Sequence, residues 1–179
     1  RDAGGGQVKE KGRLEMPRGH VMRALALLAL GGTAWAADAG GSWPVLTAEV
    51  TPDLSTTDWT FRIEGAVDTP TTWTWDALHA LPESTYTGAI HCVTTWSKFD
   101  MTWRGVSVDT LLDAVGVRPE AQFAIVTCHT AYTTNLPLAD LTDGRAWVAW
   151  EADGRPLDRQ HGGPARLLVP HLYFWKSAK

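Results

Sequence analysis

The stretch HCVTTWSKFDMTWRGVSVDTLL, residues 91–112, joins the two kinds of element from which the chain is built. It follows a strand-like run from Tyr86 to Ile90, so His91 and Cys92 stand at a strand end beside a loop. At its far end Ser107 is an N-cap. Val108, Leu111, Leu112 and Val115 then recur at i, i+3, i+4 and i+7, and Gly116 marks the stop. Working outward, residues 59–65 alternate apolar and polar side chains as a half-buried strand does. Thr74 caps a short helix through Leu81, with Asp76 in its first turn and Pro82 beyond its end. Phe123 to Cys128 reads as a buried strand. Ala146 to Trp150 is another, closed by the Asp153-Gly154 turn, and Arg166 to Pro170 a third. Helices this few and short exclude a doubly wound βαβ fold. The expected architecture is α+β, with mixed β-sheets, short helices and a site carried on connecting loops.

Bulk properties fit that class. The chain has 179 residues, 44% of them hydrophobic and 20% charged, which suits one globular domain with a real core. A net charge of −4 with intermixed signs gives no electrostatic reason to expect nucleic acid. The ten tryptophans are expected chiefly in core packing. No GxGxxG or Walker loop supports a nucleotide cofactor.

Two cysteines, Cys92 and Cys128, leave three readings open: one disulfide, two buried thiols, or one metal ligand with a bystander. As a thiolate, Cys92 is a soft donor suited to heavier transition metals. Cys128-His129 mirrors His91-Cys92, so a Cys2His2 zinc site is an alternative, although the pairs are far apart for a structural knuckle. A Ser/His/Asp hydrolase has no G-x-S-x-G elbow and no histidine with an evident orienting carboxylate. In His161-Gly162-Gly163-Pro164-Ala165-Arg166 the glycines let backbone N–H groups approach a ligand closely, and Arg166 can clamp a phosphate. Lys176, Ser177, Ala178 and Lys179 offer cations, a hydroxyl and backbone donors to the same anion.

HCVTTWSKFDMTWRGVSVDTLL together with HGGPARLLVPHLYFWKSAK (residues 161–179) resembles the sulfite oxidase superfamily of molybdopterin-dependent oxidoreductases. Within it, the similarity is to the small bacterial branch related to the catalytic subunit of periplasmic methionine sulfoxide reductase. It runs from Trp43 to Lys179. The resemblance implies a sulfite oxidase-type fold and a molybdenum–molybdopterin cofactor, with Cys92 as the thiolate ligand of the metal. It further implies cofactor contacts at Cys128, His161, Arg166 and the Ser177-Ala178-Lys179 backbone, and a segment near Trp43 to Leu46. His91, Thr94 and Trp96 would form the catalytic wall beside the metal. The implied reaction is oxygen-atom transfer on a small oxyanion or sulfoxide-type substrate. Three departures stand out. Cys128 occupies a threonine position of the reductases, Thr95 stands where close relatives often carry arginine, and relatives usually continue beyond the final motif; if the sequence is a fragment, part of the pocket wall lies outside it. The alternative is a cofactor-free exported binding or structural domain on the same fold, bridged by Cys92 and Cys128.

Residues 1–36 are expected to be an upstream segment and a signal peptide, with the oxidoreductase domain at 37–179. Arg18 and Arg23 precede an apolar run from Ala24 to Leu30, and Ala34-Trp35-Ala36 supplies the cleavage spacing. That run is too short to span a membrane. An ordinary short helix or translated upstream sequence is the competing reading. Such a leader implies a periplasmic or exported protein, yet no Arg-Arg pair precedes it for folded export, which leaves a cytoplasmic location as the alternative. No C-x-x-C-H haem motif is present, so electrons are expected from a separate partner.

Overall fold

A computed structural model describes residues 43–47 and 50–179; the expected leader at residues 16–36 lies outside the described residues. The order is β1 (Thr60–Ile63), β2 (Thr71–Thr74), α1 (Trp75–His79), β3 (Ser84–His91), β4 (Ser97–Ser107) and α2 (Val108–Val115). It continues with β5 (Phe123–Thr127), β6 (Thr133–Pro137), β7 (Trp147–Ala152), β8 (Arg155–Pro156) and β9 (Arg166–Leu168). Strands β3, β4, β7 and β8 line up in that order, and β9 joins on β7. β1–β2 and β5–β6 are separate two-stranded ribbons. All these ladders are antiparallel, and the few helices are short, so the α+β class stands. Among the described residues no helix is long and apolar enough to cross a membrane.

Local chemistry accounts for the element ends. The Thr74 hydroxyl accepts from the Ala77 N–H at 3.3 Å, and Ser107 accepts from Thr110 at 3.1 Å, each satisfying a donor the helix leaves open. Gly116 closes α2 at φ 66°, a conformation in which a side chain is strained. The apolar stripe of α2 buries Val108, Leu111 and Val115. Truncating the fully buried Leu111 to Ala is expected to cost about 2–5 kcal/mol.

The 11-residue β4 is the spine of the sheet, and sequence reading did not pick it out as a strand. Its alternation is interrupted: Asp100 has φ 56°, and the register with β7 shifts between Arg104 and Gly105. At Gly105 a Cβ would lie 2.2 Å from the Val148 carbonyl, so only glycine lets β7 approach. Met101 and Trp103 turn from β4 into a core shared with Trp43, Ile90, Trp147, Leu168 and Phe174.

One expectation is corrected. β5 is not a buried strand: Phe123 is 64% and Ile125 78% exposed, while Ala124 and Val126 pack inward. Among the described residues it pairs only with β6, and its outer face is exposed. A continuous apolar run looked like a central strand, but here it is a ribbon with one open side.

Candidate functional site

The connection between β3 and β4 is a closed five-residue loop, Cys92 to Trp96. The Cys92 N–H donates to the Trp96 carbonyl at 2.9 Å, and the Thr95 N–H returns to the Cys92 carbonyl at 3.1 Å. Thr95 takes the left-handed conformation (φ 73°) that the tight return requires. The loop fixes a buried Cys92, and the Thr94 hydroxyl donates to its sulfur at 3.2 Å. Trp96 lays its ring edge-on to Phe174, 6.0 Å between centroids, and its indole N–H is buried without a partner.

The connection between β5 and β6 has the same length and the same closing bond. Cys128 to Tyr132 is again five residues long, headed by cysteine and ended by an aromatic, with the Cys128 N–H on the Tyr132 carbonyl at 3.0 Å. Cys128 is only half-buried. The Tyr132 hydroxyl donates to the Trp175 carbonyl and ties this loop to the C-terminal turn Phe174–Lys176. Burial, with Cys128 beside it, pushes the Tyr132 phenol above its ordinary range.

Between them runs the segment that begins at Asp158. Its carboxylate caps the turn Arg159–His161, accepting from the His161 N–H at 2.9 Å, and lies 2.7 Å from the His161 Nδ1. Burial works against that carboxylate, but the His161 ring and backbone donors outweigh it and hold Asp158 below the usual range. His161 Nε2 donates to the Trp43 carbonyl at 2.8 Å, and the two rings pack 4.1 Å apart. Both ring nitrogens are therefore occupied. His161 does have a carboxylate partner, contrary to the sequence reading, but the pair anchors Trp43 rather than activating a nucleophile.

Arg166 is buried and has no carboxylate partner among the described residues. Its guanidinium donates to the carbonyl oxygens of His161 (2.7 Å) and Ser177, and lies 4.2 Å from the Phe174 ring centre. Burial pushes it down to about 9, with Cys128 and Tyr132 pulling the other way. It is still a cation at neutral pH. Lys179 is held below its ordinary range by burial and by the charge of Arg166 beside it. Gly162 lies between these two chains: a Cβ there would meet Lys179 at 2.6 Å and Arg166 at 3.1 Å. The loop glycines thus serve internal packing, and their N–H groups donate to Arg159 and Asp158 carbonyls instead of facing a ligand. The Ser177 and Ala178 N–H groups likewise close their own turn, while the Ser177 hydroxyl accepts from Val169.

A single cleft of about 1430 Å³ is lined by Cys92, Trp96, Cys128, His161, Arg166, Ser177, Ala178 and Lys179. His91 and Thr94 are not on that lining. Both are exposed: His91 has Nδ1 2.7 Å from the Ser97 hydroxyl, and Thr94 donates its hydroxyl to the Cys92 sulfur. Sequence reasoning missed Asp158, Phe174 and Tyr132. The D-x-x-H spacing of a capped turn was the available signal for Asp158. No disulfide joins Cys92 to Cys128, and among the described residues no three His, Cys, Asp or Glu side chains gather to hold a metal. The ligands of a Cys2His2 zinc site are therefore not brought together.

This lining fits a molybdopterin cofactor on its own chemistry. It offers a soft sulfur donor, an unpartnered buried indole N–H, and two neighbouring cations whose desolvation an anionic group would offset. Comparison with known proteins agrees. Residues 48–179 match the oxidoreductase molybdopterin binding domain. The chain is 40% identical over 139 residues to the uncharacterized oxidoreductase YuiH of Bacillus subtilis, covering 77% of this chain and 70% of that one. It is 29% identical over 148 residues to the protein-methionine-sulfoxide reductase catalytic subunit MsrP of Pseudomonas syringae pv. tomato, covering 70% of this chain and 42% of that relative. The crystal structure of the sulfane dehydrogenase SoxCD from Paracoccus pantotrophus superposes with a TM-score of 0.66 at 26% identity, over 72% of this chain and 38% of that one. Both the lining and the likenesses lead to one assignment: the chain belongs to the oxidoreductase molybdopterin-binding domain family, within the sulfite oxidase superfamily.

Proposed function

We propose that the protein is a molybdenum-dependent oxidoreductase that moves an oxygen atom to or from a small oxyanion or sulfoxide-type substrate. The observation that carries this reading is the pairing, along one cleft, of a buried thiol with a buried cation that has no carboxylate. An unpaired buried charge is costly, and a fold retains one where a ligand supplies the counter-charge.

Cys92 would hold the metal through its sulfur. Arg166 and Lys179 would take the anionic end of the pterin, with Cys128, Ser177 and Ala178 on the same wall. When bound, the cofactor supplies two-electron oxygen-atom chemistry that no side chain here can perform. The chain's own residues do the rest. The closed Cys92–Trp96 loop fixes the direction of the sulfur. His161 anchors Trp43 against the cleft, and Phe174 fills the space between Trp96 and Arg166. Trp96 offers an N–H to an oxygen acceptor. Electrons would come from a separate redox partner.

The test is elemental analysis of protein from a cofactor-competent host, beside the Cys92→Ser variant. Molybdenum in the first and not the second supports the reading. A molybdenum-free wild-type protein refutes it and favours a cofactor-free domain on the same fold.

A further inference from the structure

Thr94 follows Cys92 by two residues, yet its side chain is not part of the cleft wall. The residue is exposed, and its hydroxyl donates to the Cys92 sulfur at 3.2 Å. Two hydrogen bonds and one left-handed residue shape the loop that holds it there: the Cys92 N–H on Trp96, the Thr95 N–H on Cys92, and Thr95 itself. A metal-bound thiolate has lone pairs and no proton, so in that pair the hydroxyl can only donate. Hydrogen bonds to a coordinating sulfur draw electron density away from it and weaken it as a donor, which destabilises the higher oxidation state of the metal.

We propose that Thr94 is a positioning residue that acts through Cys92: its hydroxyl bond to the sulfur raises the reduction potential of the metal that Cys92 holds. The inference rests on the reading of Cys92 as the metal ligand. It gives Thr94 a role distinct from contact with substrate, and it requires the γ-hydroxyl alone. Serine should therefore substitute for threonine, and the near-isosteric valine should not.

The experiment compares the loaded wild-type protein with Thr94→Val, Thr94→Ser and Thr94→Ala. Molybdenum per chain is measured first, and the metal's midpoint potential is then followed by its paramagnetic signal during a redox titration. Equal metal content is expected throughout. The potential should move to lower values in Thr94→Val and Thr94→Ala and stay at the wild-type value in Thr94→Ser. A Thr94→Val or Thr94→Ala protein that holds the metal at the wild-type potential overturns the proposal. So does a loss of melting temperature with the potential unmoved, because the hydroxyl would then serve the loop alone. Absence of molybdenum from the wild-type protein is a separate result: it removes the metal reading itself, and this inference with it.

Discussion

Two hairpin loops of the same length, each closed by one cysteine N–H on an aromatic carbonyl, face one cleft. The Cys92 loop grows from the β3–β4 pair of the five-stranded sheet, and it carries a buried cysteine with a hydroxyl donating to its sulfur. The Cys128 loop grows from the two-stranded β5–β6 ribbon, half-open to solvent, and its neighbours are Tyr132 and the charge of Arg166. Loops of one length thus present unequal sulfurs: a second hydrogen bond and the left-handed Thr95 tighten the Cys92 loop, and only its sulfur belongs to a buried residue.

The largest effect should separate the two cysteines outright. Cys92→Ser is expected to abolish molybdenum binding while circular dichroism shows the fold intact; a metal-loaded Cys92→Ser protein would erase the distinction between the loops. Next comes the cation beside the second loop. Arg166→Ala should weaken cofactor retention on the order of 1.5–3 kcal/mol, the worth of a charge-assisted hydrogen bond, as measured by release during dialysis. Retention equal to wild type would remove Arg166 from the site. Tyr132→Phe removes the tie between the Cys128 loop and the Trp175 carbonyl and should cost about 1 kcal/mol, or roughly 3 °C in a thermal melt.

Acid should loosen the Arg166 side without touching the Cys92 loop. Asp158 is held below the ordinary carboxylate value of 3.8, so its contribution is fully present above that pH and is lost as the pH falls through the lower folded value. Tryptophan emission should report release of Trp43 only in that acid range, and Asp158→Asn should remove the step. An Asp158→Asn protein with an unchanged acid profile would disconnect the carboxylate from the anchor. The smallest effect is expected for Cys128→Thr, within about 1 kcal/mol and with molybdenum retained. A loss of metal there would make the two sulfurs equivalent after all.

Much of this was legible in the chain. Ser107, the apolar spacing behind it and Gly116 specify α2 residue by residue, because capping and periodicity are local. The Asp153-Gly154 turn announces the β7–β8 hairpin for the same reason, both residues adopting positive φ. β5 misled because its apolar run does not reveal that it has a single neighbour. Thr94 and His91, within two residues of Cys92, were expected on the cleft wall, but the Thr94 hydroxyl donates to the sulfur and the His91 ring meets the Ser97 hydroxyl. The handedness of a five-residue loop is not written in the spacing of its residues.

What the sequence determined by itself is the set of capped elements, the α+β class and the two motif blocks that carry the family's chemistry. Only the tertiary structure decided that Cys92 lines one cleft with Arg166 and Lys179, more than seventy residues further along the chain. It alone decided that Arg166 is buried there without a carboxylate among the described residues and that both nitrogens of His161 are committed to Asp158 and Trp43. The physical reason is range. Caps and periodicity act within a few residues, whereas burial and charge pairing depend on which distant segments the sheet brings together.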